Sequence, residues 1–286
     1  MEALILNPGS APLSRNIEDY PDGIIIPIDK PYRWTSADVI RKVKYAAIRH
    51  FGKKNLKVGH AGTLDPLATG VLLVCIGKAT KLAETLQSHD KEYIAGITFG
   101  ATTPSYDLEK EIDRMFPYEH ITAESILEVL PAFIGEQDQI APLFSAKSVD
   151  GVRAYELARK LHKEGKTLDQ AAQELIRTAR INITELELLE FNAAGSGCGL
   201  KNRVFQTTIT SASSRINVTD NSALGLPHAS IRMACSKGTY VRAFARDLGE
   251  ALGSGAHLDS LQRSRSGIFK VEEALSIEHT LEKLAH

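Results

Sequence analysis

The stretch that decides the fold is "KVGHAGTLDPLATGVLLVCIG", residues 57–77. Its first half sets several glycines and Pro66 around one carboxylate, Asp65. Its second half contains the apolar run Val71–Ile76, which is typical of a strand covered on both faces. Glycine permits unusual backbone angles and proline fixes one of them, so the pattern predicts a rigid loop that presents Asp65 at the entry to a core strand.

The composition is that of a globular protein. The chain has 286 residues, of which 43% are hydrophobic, and this is ample for a sizeable core. It contains neither a run of about 18 apolar residues nor a secretory signal pattern, so we expect a cytoplasmic protein. Its cysteines are scattered singly, with no CxxC pair, so we expect reduced thiols and no structural metal. They are Cys75, Cys198 and Cys235.

Charge is segregated along the chain although the formal net charge is only -1. The segment from Lys30 to Lys57 has nine basic residues and one acid, whereas Asp107 to Asp138 has nine acids and two basic residues. Such a distribution can present one positive face to a polyanion, and it can equally be the solvated surface of a helix. Composition alone leaves both interpretations open.

Periodicity predicts a mixture of helices and strands without strict βαβ alternation. We expect helices where "TSADVIRKVKYAAIRHF", "KATKLAETLQ", "TAESILEVLPAFIG", "VRAFARDLGEAL" and "SIEHTLEKLA" occur. Strands are expected at "GIIIPID", "VLLVCIG", "KEYIAGITFG", "RTARINITELELLEF", "ASIRMAC" and "AHLDSLQRSRSGIF". A proline-bearing loop followed by a further helix is expected from Ile140 to Gly165. Together these elements favour an α+β fold around a mainly antiparallel, mixed sheet flanked by helices.

The predicted organisation is one catalytic domain with two irregular segments. Residues 1–22 contain three prolines and little periodicity, which predicts a disordered or extended N-terminal segment. Residues 23–286 are expected to form the domain itself. Within it, residues 192–228 are rich in Gly, Ser, Asn and Thr and predict an inserted loop.

The Asp65 loop has features in common with three kinds of catalytic site. A phosphate-binding P-loop is excluded because six residues separate Gly70 from Gly77 where four are needed, and Ala79 stands at the magnesium-binding position. An aspartyl protease or phosphatase site is excluded because the sequence has no second carboxylate close to Asp65. A single ionised carboxylate acting at a sugar carbon remains, and a turn residue that caps its own backbone is the alternative without catalysis.

The longer motif "GHAGTLDPLATGVLLVCIGKATKL" resembles the signature of the TruB family of tRNA pseudouridine synthases, G-H-x-G-x-L-D-P-x-A-x-G. Four further stretches resemble segments of the same family, and together they cover most of residues 24–269. They are "GIIIPIDKPYRWTS", "DKEYIAGITFG", "PLFSAKSVDGVRAYELAR" and "CSKGTYVRAFARDLGEALGSGAHLDSLQRSRSG". The resemblance implies the pseudouridine synthase fold with a central active-site cleft. It implies isomerisation of uridine-55 in the T-loop of tRNA without a cofactor.

The resemblance also implies roles for individual residues. Asp65 is the catalytic carboxylate, whether it attacks the sugar, attacks the base or abstracts a sugar proton. Tyr93 is a second catalytic residue, which stacks on the flipped base and assists proton transfer, and Arg242 is the cation that keeps Asp65 ionised. Four more residues are expected at the substrate, namely His60, Tyr240, Leu261 and Lys147. Lys30 is expected there too, or in the turn that supports the catalytic loop.

The sequence departs from the family pattern in places. Pro104 stands where the family's first T-D-T-x-D aspartate is usual, so only Asp107 is kept, and Gln262 replaces a basic residue. About seventeen residues follow Phe269, so we expect no C-terminal PUA domain. The expected partner is the T-arm of tRNA, bound by a monomer without a protein partner or a membrane. A non-catalytic tRNA-binding or chaperone protein, and the same reaction on another RNA, are the alternatives.

Overall fold

The structure is a computed structural model that describes residues 3–142, 148–149, 152–153, 178–196 and 216–285. These residues form two compact units. Unit 1 takes the described residues up to Tyr93, with Ile216 and those from Leu261 onward. Unit 2 takes the described residues from Ile94 to Ser260 apart from Ile216. The predicted catalytic domain, residues 23–286, therefore contributes to both units.

Five α-helices and fourteen strands lie in the described residues. The helices are α1 (Ser36–Phe51), α2 (Ala83–Ser88), α3 (Ala123–Val129), α4 (Val241–Ala251) and α5 (Ile277–Lys283). The first seven strands are β1 (Leu4–Ile5), β2 (Ile24–Lys30), β3 (Val58–Ala61), β4 (Ala68–Ile76), β5 (Lys91–Phe99), β6 (Ala101–Thr102) and β7 (Arg114–Met115). The others are β8 (Gly135–Gln139), β9 (Ser148–Val149), β10 (Val152–Arg153), β11 (Ala179–Asn192), β12 (His228–Cys235), β13 (Ala256–Ser266) and β14 (Phe269–Lys270).

Ten of these strands belong to one mixed sheet, which confirms the predicted α+β class. In unit 1, β4 pairs antiparallel with β2 along one edge. Its other edge pairs antiparallel with β3 and parallel with the C-terminal part of β13. In unit 2, β11 pairs antiparallel with β12 and with β8. Most pairs are antiparallel, as the lack of βαβ alternation indicates.

The helix α1 forms where the sequence predicts it. Thr35 and Asp38 form a reciprocal capping box at its start, and Gly52 ends it in the left-handed conformation with φ of 62°. The buried face carries Val39, Val43 and Ala47, spaced by four residues as in an amphipathic helix. The helix packs against β3 and β4 in unit 1.

Strand β4 is buried along its whole length, as the apolar run predicts. It begins at Ala68, three residues before the predicted Val71, because Ala68, Thr69 and Gly70 pair with Leu261, Gln262 and Arg263 of β13. That partner lies far away along the chain, so local sequence carries no signal of it. The helix predicted from "KATKLAETLQ" also differs in part, because Gly77–Leu82 is a 3₁₀ helix and the α-helix α2 begins only after it.

The N-terminal segment is part of unit 1. Its strand β1 pairs parallel with β2, and the Leu6 side chain is fully buried. A short 3₁₀ helix, Ile17–Asp19, follows. Burial of apolar side chains holds residues 3–22 against the core although their prolines and lack of periodicity predicted a disordered or extended segment.

Other predicted segments lie partly outside the described residues. The loop and helix expected after Ile140 fall mostly outside them, as does Lys147. Of the expected insertion at residues 192–228, the structure describes residues 192–196 and 216–228, with a short 3₁₀ helix at Ser222–Leu224. None of the described helices is long and apolar enough to cross a membrane.

Candidate active site

Asp65 lies in the six-residue loop, residues 62–67, that joins β3 to β4. Its side chain is half-buried, and its backbone carbonyl accepts a hydrogen bond from the Ala68 amide at 3.1 Å. The Pro66 carbonyl accepts another from the Arg33 amide at 3.0 Å. Both ends of the loop continue into paired strands, so the backbone around Asp65 is restrained on each side. This confirms that Asp65 stands at the entry to a core strand.

Ser36, the first residue of α1, holds the loop from the side. Its hydroxyl accepts a hydrogen bond from the Leu64 amide at 3.0 Å and donates one to the Leu64 carbonyl at 3.1 Å. The Ser36 side chain is buried, and the Leu64 side chain is buried as well. One hydroxyl therefore satisfies both main-chain groups of the residue that precedes Asp65.

Lys30 lies beneath the same loop and is fully buried. Its ammonium nitrogen donates to the carbonyls of Pro31 at 2.9 Å, Trp34 at 2.6 Å and Pro66 at 3.2 Å. Burial lowers the pKa of Lys30 to about 7, and the nearby Asp65 carboxylate acts against that lowering.

The burial of Lys30 bears on the role expected of it. The side chain has no exposed surface with which to contact RNA, and its hydrogen bonds go to the main chain around the loop. Of the two roles that the sequence suggested for Lys30, substrate contact and support of the catalytic loop, the geometry favours support. It also places a cation beside the Asp65 carboxylate within unit 1.

Arg263 ties the two strands around the loop together. It is 2% exposed, and its guanidinium donates to the Val71 carbonyl at 2.7 Å and to the Gly62 carbonyl at 3.1 Å. Its own main chain passes close to Gly70, where φ is +96° and an added Cβ would lie 2.3 Å from the Arg263 carbonyl oxygen. Gly70 is thus required both by its backbone angle and by this close approach.

Three further predicted residues belong to unit 1. Leu261 is half-buried on β13 and pairs with Ala68, directly after the Asp65 loop. Tyr93 lies on β5 with a side chain that is 9% exposed. His60 lies on β3 and is half-buried, and burial together with the charge of Arg263 lowers the pKa of its imidazole. A neutral imidazole next to the loop can accept or donate a hydrogen bond without carrying charge.

The other two predicted residues, Tyr240 and Arg242, lie in unit 2. Tyr240 is the N-cap residue of α4, and the Gln139 side chain accepts from its amide at 2.8 Å and donates to its carbonyl at 3.2 Å. Arg242 is 5% exposed, donates to the Ser105 carbonyl at 3.1 Å and lies 3.5 Å from an oxygen of Asp107. Within unit 2 the counter-ion of Arg242 is thus Asp107, whereas the resemblance implied Asp65. The pairing of Arg242 with Asp65 stays a prediction.

Two residues of this arrangement, Ser36 and Arg263, were not identified from the sequence. Ser36 is separated from Leu64 by 28 positions, and Arg263 is separated from Gly62 by 201. Ser36 lies at the start of "TSADVIRKVKYAAIRHF", from which only a helix was predicted. Arg263 follows Gln262 in "LQRSR", where the sequence showed only that Gln262 replaces a basic residue.

The described residues contain no group of three or more His, Cys, Asp or Glu that could hold a metal ion. What they do contain is a half-exposed carboxylate on a loop whose main chain is hydrogen-bonded to three buried side chains, Lys30, Ser36 and Arg263. A carboxylate on a backbone restrained in this way is suited to act as a nucleophile or a base.

Two solved structures have a fold similar to that of this chain. One is a Cbf5-Nop10-Gar1 complex, with a TM-score of 0.58 and 24% identity over 98% of this chain. The other is an H/ACA RNP bound to a substrate RNA containing 2'-deoxyuridine, with a TM-score of 0.56 and 21% identity over 98% of this chain. This chain spans 63% and 62% of the two matched chains.

The family follows from the sequence comparisons. Residues 49–241 match the N-terminal domain model of the TruB family pseudouridylate synthases, and residues 242–286 match the C-terminal domain model of tRNA pseudouridylate synthase B. A tRNA pseudouridine synthase B of Phocaeicola vulgatus is 48% identical over 260 residues, which are 91% of this chain and 92% of that protein. The chain belongs to the TruB family of pseudouridylate synthases.

Proposed function

We propose that this chain converts uridine-55 in the T-loop of tRNA to pseudouridine. The observation that carries the proposal is the Asp65 loop, in which the family's characteristic carboxylate is half-exposed and its backbone is fixed by buried groups. The 48% identity with a tRNA pseudouridine synthase B, over nine-tenths of both chains, supports it.

The reaction is an isomerisation, so every atom of the uridine is kept. The bond between N1 of the uracil and C1' of the ribose breaks, the base turns, and C5 joins the same carbon. C5 then loses its proton, and N1 carries a proton in the product. No oxidant or reductant is consumed, and no cofactor is required by this balance.

In the proposed mechanism Asp65 is the catalytic residue. It acts on the flipped nucleotide as a nucleophile at the sugar, a nucleophile at the base, or a base that removes a sugar proton. The hydrogen bonds from Ser36 to Leu64 and from Lys30 to Pro66 fix the loop before substrate binds, which lowers the cost of reaching the reactive geometry. Lys30 supports the loop from beneath through its hydrogen bonds to the carbonyls of Trp34 and Pro66.

The remaining predicted residues are proposed to hold the RNA. Tyr93 stacks on the uracil and Leu261 forms a wall of the base pocket, because a base extruded from its loop needs a flat, apolar site. His60 and Tyr240 contact the nucleotide, and Lys147 contacts the phosphate backbone. Arg242 is proposed as a second cation for Asp65, with Asp107 as its other partner. The enzyme is proposed to act on the T-arm as a monomer.

The test uses an unmodified tRNA transcript and maps pseudouridine by chemical labelling. The wild-type chain is expected to modify position 55, and Asp65→Asn is expected to abolish turnover while tRNA affinity stays within a few-fold of wild type. Asp113→Asn is the matched control, because it makes the same change at an exposed carboxylate in unit 2 and is expected to leave turnover unchanged.

The alternatives give different results in this assay. A non-catalytic tRNA-binding or chaperone protein binds the transcript, leaves it unmodified, and gives Asp65 no special role. Activity on another RNA leaves tRNA unmodified but labels a different transcript. Loss of tRNA binding in Asp65→Asn to the same degree as loss of turnover would contradict the role assigned to this carboxylate.

A further inference from the structure

The outer face of α1 is strongly basic. Its inner side chains pack against β3 and β4, so the helix has already buried its apolar face in unit 1. The exposed residues that line the other side are here called the α1 basic face. They are Arg41, Lys42, Lys44, Tyr45 and Arg49. At about 100° per residue they occupy one continuous side of the helix.

This face has little compensating negative charge. Asp38 is the one acid among the residues of α1, and it is engaged in the capping box and in an ion pair with Arg41 at 2.9 Å. Within the parts of the chain that the structure describes, no ion pair involves Lys42, Lys44 or Arg49. A cluster of exposed cations on one side of a helix has the charge that a nucleic-acid backbone attracts.

Tyr45 adds an aromatic ring to the centre of this face. It is 67% exposed, and the guanidinium carbon of Arg49 lies 5.7 Å from the centre of its ring. Exposed aromatic rings beside arginine form platforms on which unpaired bases stack. A membrane surface is the less favoured partner, since the apolar face that would insert into lipid is buried against the sheet.

The α1 basic face begins close to Asp65. Ser36 at the start of the helix is hydrogen-bonded to Leu64, one residue before Asp65, and α1 then extends for 16 residues, or about 24 Å. When the target nucleotide of an RNA reaches Asp65, the neighbouring nucleotides lie within about 24 Å of the loop and can contact α1.

We propose that the α1 basic face binds the substrate RNA outside the target nucleotide, with Lys42, Lys44 and Arg49 on phosphates and Tyr45 stacked on an exposed base. The inference rests on the proposed function only in naming tRNA as the RNA. The face is a binding surface and takes no part in the chemical step.

The first experiment measures tRNA affinity by filter binding over a range of KCl concentrations. The triple variant Lys42→Ala, Lys44→Ala, Arg49→Ala removes three phosphate contacts, so the slope of log K against log salt is expected to fall by about 2 to 3. Arg41 is left in place because it pairs with the helix cap. The double variant Lys81→Ala, Lys270→Ala removes exposed charge elsewhere in unit 1 and is expected to leave the slope almost unchanged.

The second experiment separates stacking from charge. Tyr45→Ala is expected to weaken tRNA binding about fivefold or more, whereas Tyr45→Phe keeps the ring and is expected to bind like wild type. For the triple variant and Tyr45→Ala, kcat at saturating tRNA should stay at the wild-type value while KM rises. Vesicles of anionic lipid are expected not to bind the chain.

The results also separate this inference from the proposed function. If wild type binds tRNA through the α1 basic face but forms no pseudouridine, the inference stands and the proposed function fails. If wild type forms pseudouridine while the triple variant and Tyr45→Ala bind with wild-type affinity and salt slope, the inference is wrong. Vesicle binding that is lost in the triple variant, with tRNA binding unaffected, would assign the face to membranes instead.

Discussion

The replacement Ser36→Ala tests whether the buried hydroxyl holds the Asp65 loop. It removes one oxygen, yet it takes away both hydrogen-bond partners of the Leu64 main chain, the amide at 3.0 Å and the carbonyl at 3.1 Å. The site is otherwise preserved, because alanine is smaller and is well accepted in the first turn of α1. A change in the free energy of unfolding or in kcat therefore reports on these two hydrogen bonds.

The magnitude follows from the burial of the groups left behind. A buried donor or acceptor without a partner costs about 1 to 3 kcal/mol, so two such groups set an expected loss of about 2 to 6 kcal/mol in the free energy of unfolding. If the loop shifts to reach water, the stability loss is smaller and Asp65 is displaced instead. Each 1.4 kcal/mol of lost positioning lowers kcat about tenfold, so we expect kcat to fall about 10- to 100-fold.

The assay combines urea unfolding with steady-state kinetics on the tRNA transcript. We expect kcat to fall while tRNA affinity stays near wild type, because Ser36 is buried and is not itself exposed to bind RNA. Ser36→Thr restores the hydroxyl and is expected to recover most of kcat despite some crowding from its methyl group. Ser88→Ala removes an exposed hydroxyl bonded to the Thr85 carbonyl and should change stability by less than about 0.5 kcal/mol. An unfolding free energy and kcat equal to wild type in Ser36→Ala would refute the reasoning.

Two further predictions concern the same region. Gly70→Ala is expected to destabilise the chain by more than Gly52→Ala, because both positions have positive φ but only at Gly70 does the added Cβ meet backbone, 2.3 Å from the Arg263 carbonyl oxygen. Thermal unfolding of the two variants measures the difference, and equal losses would contradict the close approach. Burial lowers the pKa of Lys30 in the folded chain from 10.5 to about 7. Between these two pH values the unfolded chain keeps the Lys30 proton and the folded chain has lost it. The free energy of unfolding should therefore rise with pH across that window, by about 1.4 kcal/mol per pH unit. Lys30→Met should remove this part of the rise in urea unfolding followed from pH 7 to 10.5, and an unchanged pH dependence would show that Lys30 is not the group responsible.

Much of the fold was predictable from local patterns. The capping box at Thr35 and the apolar spacing of α1 fixed that helix, and the apolar run fixed β4 as a buried strand. The extra residues of β4 were missed because their partner is β13, which follows almost 200 residues later. Pairing between distant strands depends on the folded chain and leaves little trace in either strand alone.

The candidate site was predictable to a lesser extent. Asp65 was identified because glycines and Pro66 mark a constrained loop and because the surrounding motif resembles a known family. Ser36 and Arg263 were not identified, since a hydroxyl near a helix cap or an arginine in a strand is common and has no distinguishing local pattern. The resemblance gave Arg242 one counter-ion, Asp65, and the structure gives it Asp107 within unit 2.

The sequence by itself determined the family and the position of the candidate carboxylate, Asp65, because motif and periodicity are properties of neighbouring residues. Only the tertiary structure decided that Lys30 is a fully buried amine beneath the loop. It alone decided that the cations of α1 lie on an exposed face beside Tyr45. The physical reason is that the effect of a charge depends on its burial and on partners brought to it through space, and both are set by folding.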